Sequence, residues 1–268
     1  MGVKQAMIRD KYTIITGAAG FLGTHHCRAV LQMSRSLIMI DNNQKLLKKT
    51  KIKLENEFKK NNPKIITANV DITKEKQVKK LKYFLKKKKL LIDSIINNAA
   101  IDAIPKKTKQ NTYLSVKQIQ KEINVSLIGS YLIIENFKEL LFKNKHSSVI
   151  NIGSDLSIIA PNQDIYKQTF QNYKKPISYS LIKHGIVGMT KYYASSYAKK
   201  NTRFNMVSPG PIERNQRGLF KKKLKNVIPM NRLGSTNDLY GVIKFLLSKS
   251  STFITGQNIL VDGGRTII

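Results

Sequence analysis

The chain has one cysteine, Cys27, in 268 residues, so no intramolecular disulfide can form and a reducing compartment suits it. It also lacks any stretch of the ~20 apolar residues that a membrane-spanning helix needs. The opening Met1-Gly2-Val3-Lys4-Gln5-Ala6-Met7 has no apolar core of the secretory-signal kind. Gly2 invites a myristoylation reading, but Ala6 stands where that motif wants Ser or Thr. Internal repeats, low-complexity linkers and a convincing domain boundary are missing too. What remains is a 41% apolar chain, long enough for one large core. A soluble cytoplasmic protein without membrane contact is the expectation.

Acidic side chains are scarce, 16 against 48 Lys and Arg, giving a net charge of +32. Such a balance raises nucleic acid as a partner. Arginine, however, stands at only eight positions (9, 28, 35, 203, 214, 217, 232 and 265), so lysine supplies nearly all the excess. The lysines are spread along the chain, and the densest runs, Lys86–Lys89 and Lys221–Lys223, are short. Lysine, isoleucine and asparagine are all abundant, as an A/T-rich genome would produce. Solvated lysine faces are therefore expected rather than a specific nucleic-acid site. Non-specific adhesion to anionic surfaces at low salt follows from the charge alone.

Short apolar runs alternate with longer amphipathic ones, the pattern of an α/β protein with helices covering a parallel sheet. Strands are expected at Tyr12–Thr16, Leu37–Ile40, Ile65–Ala68, Leu91–Ile96, Ser148–Ile152, Arg203–Val207 and Asn258–Val261. Helices are expected from Gly20 to about Met33, at Lys74–Leu85, Ser115–Phe142 (one long helix), Ser178–Lys199 and Thr236–Leu247, with a lysine-rich one after Asp41.

Thr16-Gly17-Ala18-Ala19-Gly20-Phe21-Leu22-Gly23 follows the first strand and opens the first helix, the context that makes glycines here a dinucleotide-binding turn. Gly17 would allow the tight turn, Gly20 the approach of pyrophosphate, and Gly23 close helix–sheet packing. The helix N-terminus would offer unpaired N–H groups to the phosphates. Asp41, after the second strand, would accept the ribose hydroxyls and repel a 2′-phosphate, which favours NAD over NADP; Lys45 lies close enough to oppose it. His25 and His26 are neighbours that point in different directions, so they are read as structural and no metal site is expected.

Tyr179 and Lys183 stand four apart, in Ser178-Tyr179-Ser180-Leu181-Ile182-Lys183-His184-Gly185, and so share one helix face. A neighbouring ammonium favours phenolate, and such a pair can give or take a proton at a carbonyl or alcohol carbon. With the dinucleotide turn, it suggests hydride transfer.

In its ordered motifs the chain resembles the short-chain dehydrogenase/reductase family, from about Tyr12 to the C-terminus. The motifs are Thr16–Gly23, Asp71, Asn97-Asn98-Ala99-Ala100, Ser154, Tyr179/Lys183, Ser208-Pro209-Gly210-Pro211-Ile212, Arg232-Leu233-Gly234 and Thr255-Gly256-Gln257 through Val261-Asp262-Gly263-Gly264. The resemblance implies a single Rossmann-type domain over residues 1–268, a doubly wound seven-stranded parallel sheet with helices on both faces. It also implies a homotetramer or homodimer. Tyr179 would be the acid/base, Lys183 would lower its pKa and hold the ribose hydroxyls, and Ser154 would hydrogen-bond the substrate oxygen. Asn124 would anchor a water linking Lys183 to solvent. Asp71, with Ile72 beside it, would meet the adenine, and Asn98, Ala99 and Ala100 would line the cleft. Phe21 and Leu22 of the turn, and Pro209, Gly210 and Ile212, would complete the cofactor site.

Three departures stand out. The glycine spacing is that of the family's extended branch, Glu213 replaces the usual Thr, and Ser154 and Tyr179 are about twice as far apart as usual. The extra segment, Asp155–Ile177, and the turn at Gly20–Gly23 resemble a subgroup of bacterial surface-sugar biosynthesis, including legionaminic-type pathways. Substrate loops are expected at about 155–177 and 211–229. There Tyr166, Lys167, Tyr173, Lys174, Lys175, Arg214, Arg217 and Lys221–Lys223 would suit a phosphate, or would merely be solvated. The expected function is NAD-dependent hydride transfer on a sugar phosphate or nucleotide sugar. A 3-oxoacyl thioester or polyol as substrate, and a non-catalytic dinucleotide sensor or nucleic-acid binder on the same fold, are the alternatives.

Overall fold

The computed structural model describes residues 10–101, 114–167, 173–216 and 218–268; the myristoylation reading at Gly2 and the phosphate-binding role expected of Arg217 lie outside them. The strands are β1 (Lys11–Thr16), β2 (Ser36–Asp41), β3 (Ile65–Asn69), β4 (Leu91–Asn97), β5 (Ser147–Ile152), β6 (Thr202–Pro209) and β7 (Asn258–Val261). They form one parallel sheet in the order β3-β2-β1-β4-β5-β6-β7. The order reverses between β1 and β4, and the crevice at the strand C-termini of such a switch point is where ligands sit.

β5 and β6 are buried along their whole length, as strands covered on both faces must be. Neighbouring residues of β1 serve opposite layers. Ile15 packs with Val30 of α1 (Phe21–Leu31), Leu54 of α2 (Gln44–Glu57) and Ile243 of α9 (Tyr240–Leu247). Ile14 packs with Leu81 of α3 (Glu75–Lys87), Phe137 of α5 (Gly129–Leu141) and Tyr193 of α7 (Ile177–Tyr197). This two-residue alternation is what a strand with two covered faces gives.

A buried amide chain fixes α7 to the sheet. Asn97 Nδ2 donates to Asn151 Oδ1 (2.9 Å), and Asn151 Nδ2 to Thr190 Oγ1 (2.9 Å). Because Tyr179 and Lys183 ride on α7, this chain also sets their height above the strand ends.

The structure corrects the sequence reading in four places. The long helix expected at Ser115–Phe142 is α4 (Val116–Ile123) and α5 separated by a π-helical turn, Asn124–Ile128. A Cβ on Gly129, just after that turn, would stand 2.6 Å from Ile72 Cδ1, so the wider turn and the close approach to the β3 end go together. Thr236–Leu239 is a 3₁₀ turn leading into α9, held by a Ser235/Asp238 capping box. The loop expected at 211–229 contains α8 (Gly218–Asn226), and the extra segment contains a short helix, α6 (Gln163–Lys167).

At Gly23 a Cβ would lie 2.0 Å from the Gly17 carbonyl oxygen, a backbone clash that only a shift of α1 could relieve. Gly188, on the exposed side of α7, has nothing within 4 Å of its would-be Cβ. Gly23→Ala should therefore destabilise by about 1–3 kcal/mol. Gly188→Ala should be neutral or stabilising by up to about 1 kcal/mol. Thermal unfolding of both checks this, and equal behaviour would mean α1 does not depend on its contact with the turn.

Candidate active site

The β1–α1 turn is held from both sides. Asn98 Nδ2 donates to the carbonyls of Thr16 (3.0 Å) and Gly17 (3.1 Å), while Thr16 Oγ1 accepts from the backbone N–H groups of Asn98 (3.0 Å) and Ala99 (3.1 Å). From the other side Asp41 Oδ2 accepts the Ala19 N–H (3.1 Å), and its Oδ1 accepts the Asn43 N–H (2.9 Å). Gly17 has φ +60°, and a Cβ there would meet Ala99 Cα at 2.9 Å. Gly20 gives α1 no side-chain cap and no acid occupies its first turn, so its N–H groups are left to face the crevice. These features fit a dinucleotide's diphosphate.

The turn opens onto a cleft of about 1300 Å³. Of the expected cofactor residues, Gly17, Gly20, Phe21, Leu22, Asp41, Asp71, Ile72 and Asn98 line it, as do Ala99, Ala100, Tyr179, Pro209, Gly210 and Ile212. Asn124 and Ser154 line it as well. Gly23 does not; it packs beneath the turn. Asp71 Oδ1 accepts from both the N–H (2.9 Å) and hydroxyl (2.7 Å) of Thr73, which shapes the floor at the end of β3.

Lys183 is buried and lines an adjoining cavity of about 140 Å³ with Tyr179, Ser126 and Glu122. Its ammonium donates to the Ile152 carbonyl (3.2 Å) and lies 5.5 Å from the centre of the Tyr179 ring. Lysine and tyrosine are thus together, as their spacing predicts.

Several residues around this pair carry no motif. Ser154 Oγ donates to Asp155 Oδ1 (2.8 Å), and the other Asp155 oxygen accepts from Arg265 Nη1 (2.5 Å), 110 positions away. Both charges are buried, at 3% and 5% side-chain exposure. Glu122, also buried, accepts from Ser178 Oγ (2.5 Å) and Gln118 Nε2 (2.8 Å), tying α4 to the residue before Tyr179. Only adjacency to Ser154 and Tyr179 hinted at Asp155 and Ser178; nothing in the sequence pointed to Arg265 or Glu122.

The two expected substrate segments meet. Ile165, Tyr166 and Tyr173 pack with Leu224, Ile228 and Leu233 in a cluster of their own beside the cleft. Burial pushes the Tyr166 phenol above its ordinary pKa, against the opposing fields of Lys175 and Arg265. In the second segment Arg214 places its guanidinium 4.9 Å over the Phe21 ring, and Glu213 pairs with Lys221. The side chain of Lys167 lies outside what is described.

Away from the cleft, His26 is fully buried with neither ring nitrogen hydrogen-bonded, and burial pushes its pKa down to about 3. His25 Nδ1 lies 3.0 Å from the Tyr240 hydroxyl. Among the described residues no group of three or more His, Cys, Asp or Glu could hold a metal ion, and no helix is long and apolar enough to cross a membrane.

A glycine turn at the switch point of a parallel sheet, opening onto a tyrosine backed by a lysine, defines a dinucleotide-dependent oxidoreductase. The chain belongs to the short-chain dehydrogenase/reductase family: a model from that family, described as enoyl-(acyl carrier protein) reductase, matches residues 17–266. Post-translational flagellin modification protein A of Campylobacter coli is similar at 29% identity over 260 residues, 96% of this chain and 99% of that one. The 3-oxoacyl-[acyl-carrier-protein] reductase FabG of Thermotoga maritima is 28% identical over 267 residues, 97% and 99% of the two chains. Among solved structures, a short-chain dehydrogenase from Leptospira borgpetersenii with bound NAD+ superposes with a TM-score of 0.80 at 27% identity, covering 96% of this chain and 93% of that one. The protein is an NAD(P)-dependent oxidoreductase.

Removing one partner of a buried ion pair leaves an uncompensated charge. Arg265→Met should cost about 3–5 kcal/mol in urea unfolding, and adding Asp155→Asn should restore part of the loss. A single variant within about 1 kcal/mol of the parent would show that Asp155 does not depend on Arg265.

Proposed function

We propose that the protein interconverts a hydroxyl and a carbonyl on a sugar phosphate or nucleotide sugar, using NAD(H). The observation that carries the chemistry is Tyr179 on the wall of the cleft, backed by Lys183 from the adjoining cavity, with Ser154 on the same cleft. The cofactor, when bound, supplies or accepts the hydride. Tyr179 gives its proton to the carbonyl oxygen in reduction and takes it from the alcohol in oxidation. Lys183, held by the Ile152 carbonyl, keeps a positive charge beside the phenol and would reach the ribose hydroxyls. Ser154 would steady the substrate oxygen, its own hydroxyl oriented by Asp155. Asn124, at the start of the π-helical turn, would hold water on the path from Lys183 to solvent.

Two things support a sugar substrate: the relative named for flagellin modification, aligned over nearly the whole chain, and the extra segment packed against α8 at the substrate end. The FabG relative supports a second reading, a 3-oxoacyl thioester. The homodimer or homotetramer belongs to the same proposal, and exposed Ile128, Tyr131, Leu181 and Tyr192 on α5, α7 and the π-helical turn would suit subunit contact. An NAD(H) absorbance screen over phosphorylated and nucleotide-linked sugars, with acyl thioesters alongside, separates the two substrates. In it Tyr179→Phe should lose about 10²–10⁴-fold in turnover while binding NADH normally. Ordinary turnover by that variant would mean the proton travels another way.

The choice of NAD rests on Asp41, whose carboxylate lies on the cleft wall beside the turn, where a 2′-phosphate would meet a like charge. NADH should bind about tenfold or more tighter than NADPH, and Asp41→Ala should narrow that gap. Equal affinities in the parent, measured by fluorescence titration, would show Lys45 or another lysine overriding the carboxylate.

A further inference from the structure

Lys175, two residues before α7, places its ammonium 3.9 Å from the centre of the Tyr179 ring, nearer than the 5.5 Å of Lys183. It lines the main cleft, whereas Lys183 lines the small cavity. Nor is it a loosely tethered surface lysine. The side-chain amide of Gln163 accepts the Lys175 N–H (2.9 Å) and donates to the Lys175 carbonyl (3.2 Å), so the backbone here is fastened to α6 as a strand would be. Tyr173 on one side is buried in the cluster shared with α8, and Pro176 on the other is the extended N-cap of α7. A lysine whose Cα is fixed at both flanks can deliver its charge only within a short radius, and that radius contains the Tyr179 ring.

We propose that Lys175 is a second cation acting on Tyr179, a positioning residue that works with Lys183 to hold the phenolate form and aim the ring. This rests on Tyr179 being the acid/base. A cation over a phenol ring is attracted by its negative face, and is attracted more once the oxygen carries charge. It thereby favours the ionised form, as any opposite charge within ~4–6 Å does. Among the described residues, the charged or titratable groups near Tyr179 include Lys183 on its own helix, Glu122 from α4, Tyr166 from α6, Asp155 after β5 and Arg265 from the C-terminal segment, while Lys117, Lys121 and Arg214 line the same cleft. Arg265 and Asp155 neutralise one another, and the Glu122 carboxylate is bonded to Ser178 and Gln118. Lys175 and Lys183 are the cations that stand against the Tyr179 ring itself. The step they assist is the breaking and making of one O–H bond, the proton passing between Tyr179 and the substrate oxygen.

The primary readout needs no substrate. Ultraviolet difference absorbance between the parent protein and Tyr179→Phe, followed against pH, isolates the ionisation of Tyr179 from that of the other tyrosines. In a Lys175→Met background the midpoint should move to higher pH, leaving about tenfold less phenolate at a fixed pH below it. Lys175→Arg should keep the midpoint near the parent's, a rescue that a merely structural role would not predict. Lys175→Gln serves if the methionine variant does not fold. An unmoved midpoint in a folded variant overturns the proposal, as does a Tyr179 that titrates in the ordinary tyrosine range with or without Lys175. So does a lysine whose loss raises only the KM for a phosphorylated substrate. Failure of the acid/base reading is distinguishable, because it would appear as turnover retained in Tyr179→Phe alone.

Discussion

At the switch point of the sheet, β1 and β4 lie side by side while the connections that follow them leave toward opposite faces. Something must hold the two ends together just where the layers separate, and here it is the side chain of Asn98. Both of its amide protons are spent on the Thr16 and Gly17 carbonyls, and the Thr16 hydroxyl takes two backbone N–H groups in return. The glycine turn is thereby built onto β4 rather than hanging from β1. Its shape then admits only glycine at 17, where φ is positive and Ala99 is in contact, and at 23, where α1 touches the turn's own carbonyl. The open N–H groups of α1 follow from this tie, and Asp41 braces the turn from the other side through the Ala19 N–H, so this end of the cleft is set by part-buried hydrogen bonds together with its glycines.

The end of the cleft at Tyr179 follows a different rule. Lys183 is a buried cation, and burial alone disfavours the charged form. Its ammonium donates to the Ile152 carbonyl, and Glu122 and Ser126 line the same small cavity. The Asp155–Arg265 pair is buried more completely still, yet each member has a direct partner, which is the condition under which such a pair is tolerated. Most of the chain's positive charge plays no part in this. The dense lysine runs at Lys86–Lys89 and Lys221–Lys223 stand largely in solvent, where charges are screened within about 10 Å at ordinary salt. Electrostatics at the site are thus decided by a handful of enclosed groups and not by the net charge.

What could be read from the sequence was whatever is local or ordered along the chain. The seven strands fall within one or two residues of their apolar runs, because a strand buried on both faces has little freedom in composition. The glycine turn was legible because its neighbours are contiguous, and Tyr179 with Lys183 because four residues on a helix define a distance. The amide chain Asn97–Asn151–Thr190 and the pairs Asp155–Arg265 and Glu122–Ser178 join residues 39 to 110 positions apart, and no periodicity encodes such partners. The π-helical turn was invisible for a related reason. Weak helix formers such as Asn124, Val125 and Ser126 do not tell a wider turn from an ordinary one, and the widening accompanies tertiary contact between Gly129 and Ile72. Helix α8 was missed because its amphipathic side is short and lysine-rich, and its apolar residues are explained only by the cluster they join.

That cluster bears on how the fold accepts so wide a gap between Ser154 and Tyr179. Ser154 is fixed by the end of β5 and Tyr179 by α7, and the Asn151–Thr190 bond locks these two elements together regardless of what lies between. The added chain therefore does not have to hold its own ends in place. Its closure entropy grows only slowly with length, roughly 0.6 kcal/mol per doubling. Ile165, Tyr166 and Tyr173, buried against Leu224, Ile228 and Leu233, offset that cost by joining the extra segment to the one after Pro209-Gly210. The two walls of the substrate end thus become a single packed unit beside a framework that is fixed without them. Changes in that unit can alter what the cleft accepts while Tyr179, Lys183 and the glycine turn keep their places.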